Sequence, residues 1–461
     1  MAAATAELKE SKSLELILGN GPIHPFFEHV WQTACAIYSV PILQDDSRNG
    51  RWSKSRALEK NGNPLQELLQ SAWNVVVELM DQKHRTFLEE QQDQDFTKAC
   101  IPLLFRNCES LSQEERDVYD HNLWAAYLDG CSVVLNHADL QSPAIAAVCE
   151  DLQSSFPHVY ANVYITPVNS QTVPPHADDR DVLVIQLYGS KQWKVYQRVP
   201  IPYPYPKEQV GKEGLEVPDE VLKGPVMIER TLHPGDVMYM PRGYVHEAKS
   251  VPNDCSVHVT VALATHDWTL LGILSAASQD IWSHNLELRK AVPREFGRSD
   301  ISAVQQSMQE QIDQAVEAFK AQVTPQSVHT SLKNRYDTHN QRAAAIRQPL
   351  INASSSTMEG ISTTTVVRKE AAALLTKSTV LRAATPEEKA SIPRGPQQVG
   401  LHVAEAIYEH VVSIIQTIKS QPTALRDIQT PENICDLALM SVAKQCVALG
   451  SFAIQSSSSS S

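Results

Sequence analysis

What the chain lacks narrows its class before any motif is read. Its eight cysteines, at 35, 100, 108, 131, 149, 255, 435 and 446, include no Cys-x-x-Cys pair, and most lie within apolar runs. That pattern speaks against a zinc ribbon and gives no disulfide framework, so the thiols read as reduced and the protein as intracellular. Nowhere do about 18 apolar residues run together, and the opening residues have no basic stretch leading into an apolar core, so neither membrane spanning nor secretion is supported. No strong Lys/Arg block marks a nuclear address. A formal net charge of −13 argues against a protein that coats nucleic acid, because phosphate-driven binding needs clustered Lys and Arg. A basic protein partner suits this charge better.

What is present centres on three residues. Pro174-Pro-His-Ala-Asp178 carries His176 and Asp178, and the later Pro241-Arg-Gly-Tyr-Val-His246 carries His246. Two imidazoles and one carboxylate on one face of a metal make the facial triad of non-heme Fe(II) oxygenases, which leaves positions open for a cosubstrate and O2. Residues two apart on an extended segment point the same way, so His176 and Asp178 can share a metal while His246 arrives from another strand. His233 and His258 are rival ligands. His233 precedes a Pro-Gly turn, and His258 alternates inward with Ser256 and Thr260 on the last strand of the series.

The surroundings predict short strands at high density. Val182-Leu-Val-Ile-Gln-Leu-Tyr188 reads as a buried strand, Gly189-Ser190 as a turn, and Trp193-Lys-Val-Tyr-Gln197 as an alternating strand. Val237-Met-Tyr-Met240 follows the turn His233-Pro-Gly-Asp236, and Ser256-Val-His-Val-Thr-Val-Ala262 closes the series. This pattern predicts a double-sheet jelly roll of the cupin kind with its site in the mouth. Between two of these strands, Val199-Pro-Ile-Pro-Tyr-Pro-Tyr-Pro206 favours extended polyproline geometry, either as a loop guiding substrate over the mouth or as an inert surface insertion.

The runs Gly130-Cys-Ser-Val-Val-Leu135, Ala161-Asn-Val-Tyr-Ile-Thr-Pro167, Pro175-His-Ala-Asp-Asp179, Gly189-Ser-Lys-Gln-Trp-Lys-Val-Tyr196 and Pro234-Gly-Asp-Val-Met-Tyr-Met-Pro-Arg-Gly-Tyr-Val-His246 occur in this order. Together they resemble the JmjC domain of the ribosomal oxygenase family. The resemblance implies an α+β chain with a double-stranded β-helix core, and a 2-oxoglutarate- and Fe(II)-dependent protein hydroxylase that uses O2. It implies Fe(II) on His176, Asp178 and His246, and Lys191 as the cation for the distal carboxylate of 2-oxoglutarate, with Lys194 as competitor. It further implies Asn162 and Tyr164 facing a target side chain, a ribosomal-protein histidine. A serine of the last barrel strand assists them in the family; counted from His246, this chain has Ala262 in its place. A rival enzyme reading is demethylation of N-methyl-lysine on histone tails, and a rival of another class is a silent cupin-type adaptor.

The remaining chain divides by pattern. Residues 1–20 read as a tail and 21–270 as the oxygenase domain with a helical lead-in, in which 63–80 has one amphipathic helical stripe. The lead-in Gly21-Pro-Ile-His-Pro-Phe-Phe-Glu-His-Val-Trp31 resembles the family's, where a Phe-Phe and a Trp pack beneath the barrel. Residues 271–350 turn helical. In 302–323, Val304, Met308, Ile312, Ala315, Val316, Phe319 and Val323 form an apolar stripe, packed on the barrel or used for the homodimer that the resemblance implies. Residues 351–366 read as a linker, 367–455 as a domain resembling the family's C-terminal winged helix, and 456–461 as a serine tail. Gln, Glu and Ser outnumber basic residues in that last domain, so a protein contact is favoured over nucleic acid. Family resemblance also suggests residence in the nucleus or nucleolus, with the cytoplasm as the other compartment.

Overall fold

The computed structural model describes residues 10–42, 62–84, 98–212, 214–263, 268–275, 286, 289, 291, 294–297, 300–355, 375–376, 378–390, 401–429 and 435–455. Most of the linker and the serine tail lie outside them. The described chain forms two compact units, residues 1–263 with 345–461 and residues 264–344.

The first unit is built on antiparallel strands β1 (Ala36–Ser39), β2 (Leu103–Arg106), β3 (Glu109–Ser110), β4 (Ser132–Leu135), β5 (Val159–Thr166), β6 (Asp181–Gly189) and β7 (Lys191–Tyr196). It continues with β8 (Val226–Leu232), β9 (Asp236–Met240), β10 (His246–Ser250) and β11 (Ser256–Leu263). Eight of them make one sheet in the order β1-β9-β6-β11-β5-β4-β2-β3, and β10-β7-β8 make a second. This is the double-stranded β-helix. Val182, Val184, Trp193, Val195, Met238 and Met240 form a small cluster between the two sheets.

Strand β5 shows how sequence alternation places the site. Val159, Ala161, Val163 and Ile165 are fully buried in the main core, under the helices that cover the large sheet. Tyr160, Asn162 and Tyr164 fall on the other face by the strand's period of two. Register carries this face onto β11, where His258 pairs with Tyr164, Thr260 with Asn162 and Ala262 with Tyr160.

The lead-in packs as its aromatic content implies. Phe26 lies 5.1 Å from Tyr239 and Trp31 lies 5.1 Å from Phe156, ring centre to ring centre. The single helix expected over 63–80 is two, Pro64–Gln70 and Ala72–Met80. Ser71 breaks it: its hydroxyl bonds back to the Glu67 carbonyl at 2.7 Å, the local competition that bends helices at serine.

After residue 345 the chain returns to the first unit. The C-terminal domain holds helices Tyr408–Ser420 and Asp436–Ala448. Strands β12 (Val380–Ala383), β13 (Thr423–Ala424) and β14 (Phe452–Ile454) form its sheet in the order β13-β12-β14. The second unit contains the helix Ile301–Gln322, capped by the Asp300 side chain, on which Ile312 and Val316 are exposed. Among the described residues no helix is long and apolar enough to cross a membrane.

Candidate metal centre

His176 and His246 meet because their segments pair. The His176 N–H donates to the His246 carbonyl at 3.1 Å and the His246 N–H returns a bond to the His176 carbonyl at 2.9 Å. The turn that delivers His246 requires Gly243, whose φ is +90° and where a Cβ would stand 2.6 Å from the Ile201 carbonyl oxygen. The two imidazole centres lie 4.4 Å apart. Each Nδ1 sits near a carbonyl two residues back, Pro174 at 2.8 Å and Tyr244 at 3.1 Å. A carbonyl only accepts, so Nδ1 carries the proton and each Nε2 lone pair is left for a metal.

Both Nε2 atoms point at Asp178. They stand 3.7 Å from its Oδ1 and 3.8 Å from its Oδ2, and the ligand atoms of the three residues all lie within 4.8 Å of one another. Among the described residues this is the one such group of His, Cys, Asp and Glu. Burial, with Lys212 and His246 adding to it, holds His176 below its ordinary range, and burial does the same for His246. For Asp178 burial acts upward, but Lys212 and the two histidines outweigh it and keep the carboxyl well below the ordinary range. Neutral imidazoles and an ionised carboxylate are the forms that bind a divalent cation.

The three residues open onto a cavity whose walls include Tyr164, Lys191, Trp193, His258 and Thr260. Lys191 is 2% exposed, and its Nζ donates to the Thr166 hydroxyl at 3.1 Å. Burial pushes this ammonium down to about 7. Among the described residues, Trp193 Nε1 and His258 Nδ1 are buried without a hydrogen-bond partner. Polar groups left open like this are uncommon in a folded interior and suit a site completed by a polar ligand. An unpaired cation and two orphaned ring nitrogens beside the triad thus fit a metal with a carboxylate-bearing cosubstrate.

The other sequence-predicted residues divide. Tyr164 lines the cavity, stacked on His258 with ring centres 4.8 Å apart. Asn162 is half-buried on the same face one step farther along and is not a cavity wall; its Oδ1 accepts the His137 N–H at 3.1 Å. His233 is held away from the triad, with its ring against the Ser190 hydroxyl at 3.0 Å. Lys194 lies 3.5 Å from Glu247 on the outer side, paired as a surface residue. One site residue escaped sequence reading: Lys212, whose Nζ donates to Asp178 Oδ1 at 2.5 Å. It belongs to no motif and reaches Asp178 only through the path of its loop.

Residues 135–271 match the family model described as JmjC domain. A bifunctional lysine-specific demethylase and histidyl-hydroxylase NO66 of Drosophila willistoni is 28% identical over 262 residues, 55% of this chain and 32% of that protein. The protein of the same description from Dictyostelium discoideum is 34% identical over 41% of this chain and 36% of its own length. Human ribosomal oxygenase 1 is 35% identical over 38% of this chain and 27% of its own length. The matched region thus spans about a quarter to a third of the length of these curated relatives.

Proposed function

We propose that this chain, whose residues 135–271 match the JmjC domain and which is similar to ribosomal oxygenase 1, is a 2-oxoglutarate- and Fe(II)-dependent hydroxylase that acts on a histidine of a ribosomal protein. The observation that carries the reading is the juxtaposition of His176, Asp178 and His246 at a cavity that also holds the buried Lys191, which has no carboxylate partner among the described residues. Iron(II) bound there would, with O2 and 2-oxoglutarate, supply an oxidant for an unactivated C–H bond, and 2-oxoglutarate would leave as succinate and CO2.

The chain's own residues supply the rest. Lys191 neutralises the distal carboxylate of the cosubstrate, and Trp193 and His258 line its path. Asn162, one step beyond the cavity wall on the same face, spends its Oδ1 on the His137 N–H, which leaves its amide N–H groups for a target that extends past the cavity. A neutral imidazole nitrogen accepts such a bond. A methylated ammonium has no acceptor and would call for an aromatic cage, for which Tyr164 is insufficient. Two relatives named above are described as lysine-specific demethylases as well, so that activity is the outcome to test against.

The decisive experiment incubates the protein with Fe(II), ascorbate and 2-oxoglutarate beside ribosomal-protein and methylated histone peptides, read by mass spectrometry. A gain of one oxygen atom on a histidine is the expected result. Loss of methyl groups from lysine without oxygen on histidine would overturn the choice of reaction. We further propose self-association through the apolar stripe of the helix Ile301–Gln322, where Ile312 and Val316 are exposed and Phe319 is half-buried, and a nuclear or nucleolar home, as the family resemblance suggests. Replacing Ile312 and Phe319 with Asp should yield monomers in sedimentation, and a tagged copy should mark nucleoli; an unchanged mass or a diffuse cytoplasmic signal speaks against each in turn.

A further inference from the structure

We infer that Lys212 holds one oxygen of Asp178 so that this carboxylate binds a metal through the other oxygen alone. The inference rests on the metal-centre reading above. Lys212 is a positioning residue, acting through Asp178.

The loop between β7 and β8 is built to place this lysine. Val210 is buried, and its carbonyl accepts the Ala177 N–H at 2.9 Å, between the two ligands His176 and Asp178. Gly211 has a φ of +79°, and a Cβ there would stand 2.3 Å from the Pro175 carbonyl oxygen and 2.7 Å from His176 Cα. Only glycine lets the loop press this closely on the ligand-bearing segment. The turn is then closed by Gly211 N–H to the Leu215 carbonyl at 2.6 Å and Leu215 N–H to the Lys212 carbonyl at 2.9 Å. Lys212 therefore leaves the backbone at the edge of the site. Its side chain is 36% exposed and the Asp178 side chain 21%. An exposed ion pair on a free loop would be worth little, but this one is aimed by buried backbone on one side and by a ligand strand on the other.

The chemistry explains the arrangement. A facial triad works by leaving about three positions of an octahedral ion open, two for a chelating cosubstrate and one for O2. A carboxylate that binds through both oxygens would take one of them. An ammonium on Oδ1 competes for that oxygen and also repels the incoming cation. Both effects have the same sign: without Lys212, a divalent ion should bind more tightly and keep fewer open positions.

The test uses Mn(II) alone as the probe on the full chain, with affinity from calorimetry and the number of metal-bound waters from water-proton relaxation. Wild type should bind one Mn(II) with about three exchangeable waters. Lys212→Met should bind it roughly three- to tenfold more tightly and with one water fewer. Lys212→Arg, which keeps the charge and the donors, should restore the wild-type water count. Weaker binding by Lys212→Met, or an unchanged water count in it, overturns the inference while the metal centre stands. Failure of wild type to bind Mn(II) stoichiometrically overturns the metal centre and this inference with it. Circular dichroism of each variant reports folding independently.

Discussion

Strand β5 has a buried cation at each end, and the two are kept in opposite ways. At the Val159 end, Arg347 donates to Asp139 from Nε at 2.9 Å and from Nη2 at 2.6 Å, and also to the Val159 carbonyl. Asp139 in turn accepts the Ala161 N–H at 2.9 Å. Burial lowers the affinity of Arg347 for its proton, but the Asp139 carboxylate outweighs it and holds the guanidinium above its ordinary range. At the Thr166 end, Lys191 is as deeply buried, yet among the described residues it has one hydroxyl and no carboxylate. Burial alone moves it, and downward. A buried charge whose partners are all supplied by the chain belongs to the framework. One whose partner is missing marks where something else binds.

The largest effect should come from the satisfied end. Arg347→Ala leaves Asp139 buried and unpaired, which should cost about 3–5 kcal/mol in denaturant unfolding. A loss within the error of a surface substitution would erase the contrast. The unsatisfied end should respond in function instead. Lys191→Met should leave unfolding unweakened yet raise the 2-oxoglutarate requirement by about tenfold to a few hundredfold, because a sheltered charge-assisted contact is lost. An unchanged requirement would pass the role to another cation.

A gentler version of the same contrast is a pH series. The folded-state value of Lys191 lies near 7, below its ordinary 10.5, so between these values the unfolded chain holds a proton that the folded chain has released. The contribution of this group to stability is therefore full above about 10.5 and is lost as pH falls through 7. Cosubstrate binding runs the other way. A dicarboxylate favours the charged lysine, so binding takes up a proton above pH 7 and affinity should fall as pH rises from there. Calorimetry in buffers of different ionisation enthalpy measures that uptake; none at pH 8 would mean that Lys191 is already charged.

How much of this was legible in the sequence follows from which contacts are local. His176 and Asp178 are two apart on an extended segment, and His246 follows a Pro-x-Gly turn, so spacing and turn chemistry exposed all three. The strands β6, β7, β9 and β11 followed from alternation and apolar runs. Lys191 could be named only through the resemblance, since spacing alone cannot separate a buried strand-end lysine from an exposed one. Lys212 and Arg347 were hidden. The first sits in a charged loop whose course is set by packing against residues 175–177, and the second in a polar helix without a motif. Ser71 shows the same limit at short range: an apolar stripe of the right period did not reveal that a hydroxyl would divide the helix.

The metal centre is tested most directly by iron titration of wild type and His246→Ala. Anaerobic addition of Fe(II) should saturate wild type at one ion per chain. The variant, which keeps His176 and Asp178 but loses the ligand from β10, should show near-complete loss of stoichiometric binding while its unfolding stays that of a folded protein. Full retention of one tightly bound ion by the variant would contradict the assignment and move the ligand to another histidine, with His258 the first to examine because it shares the cavity.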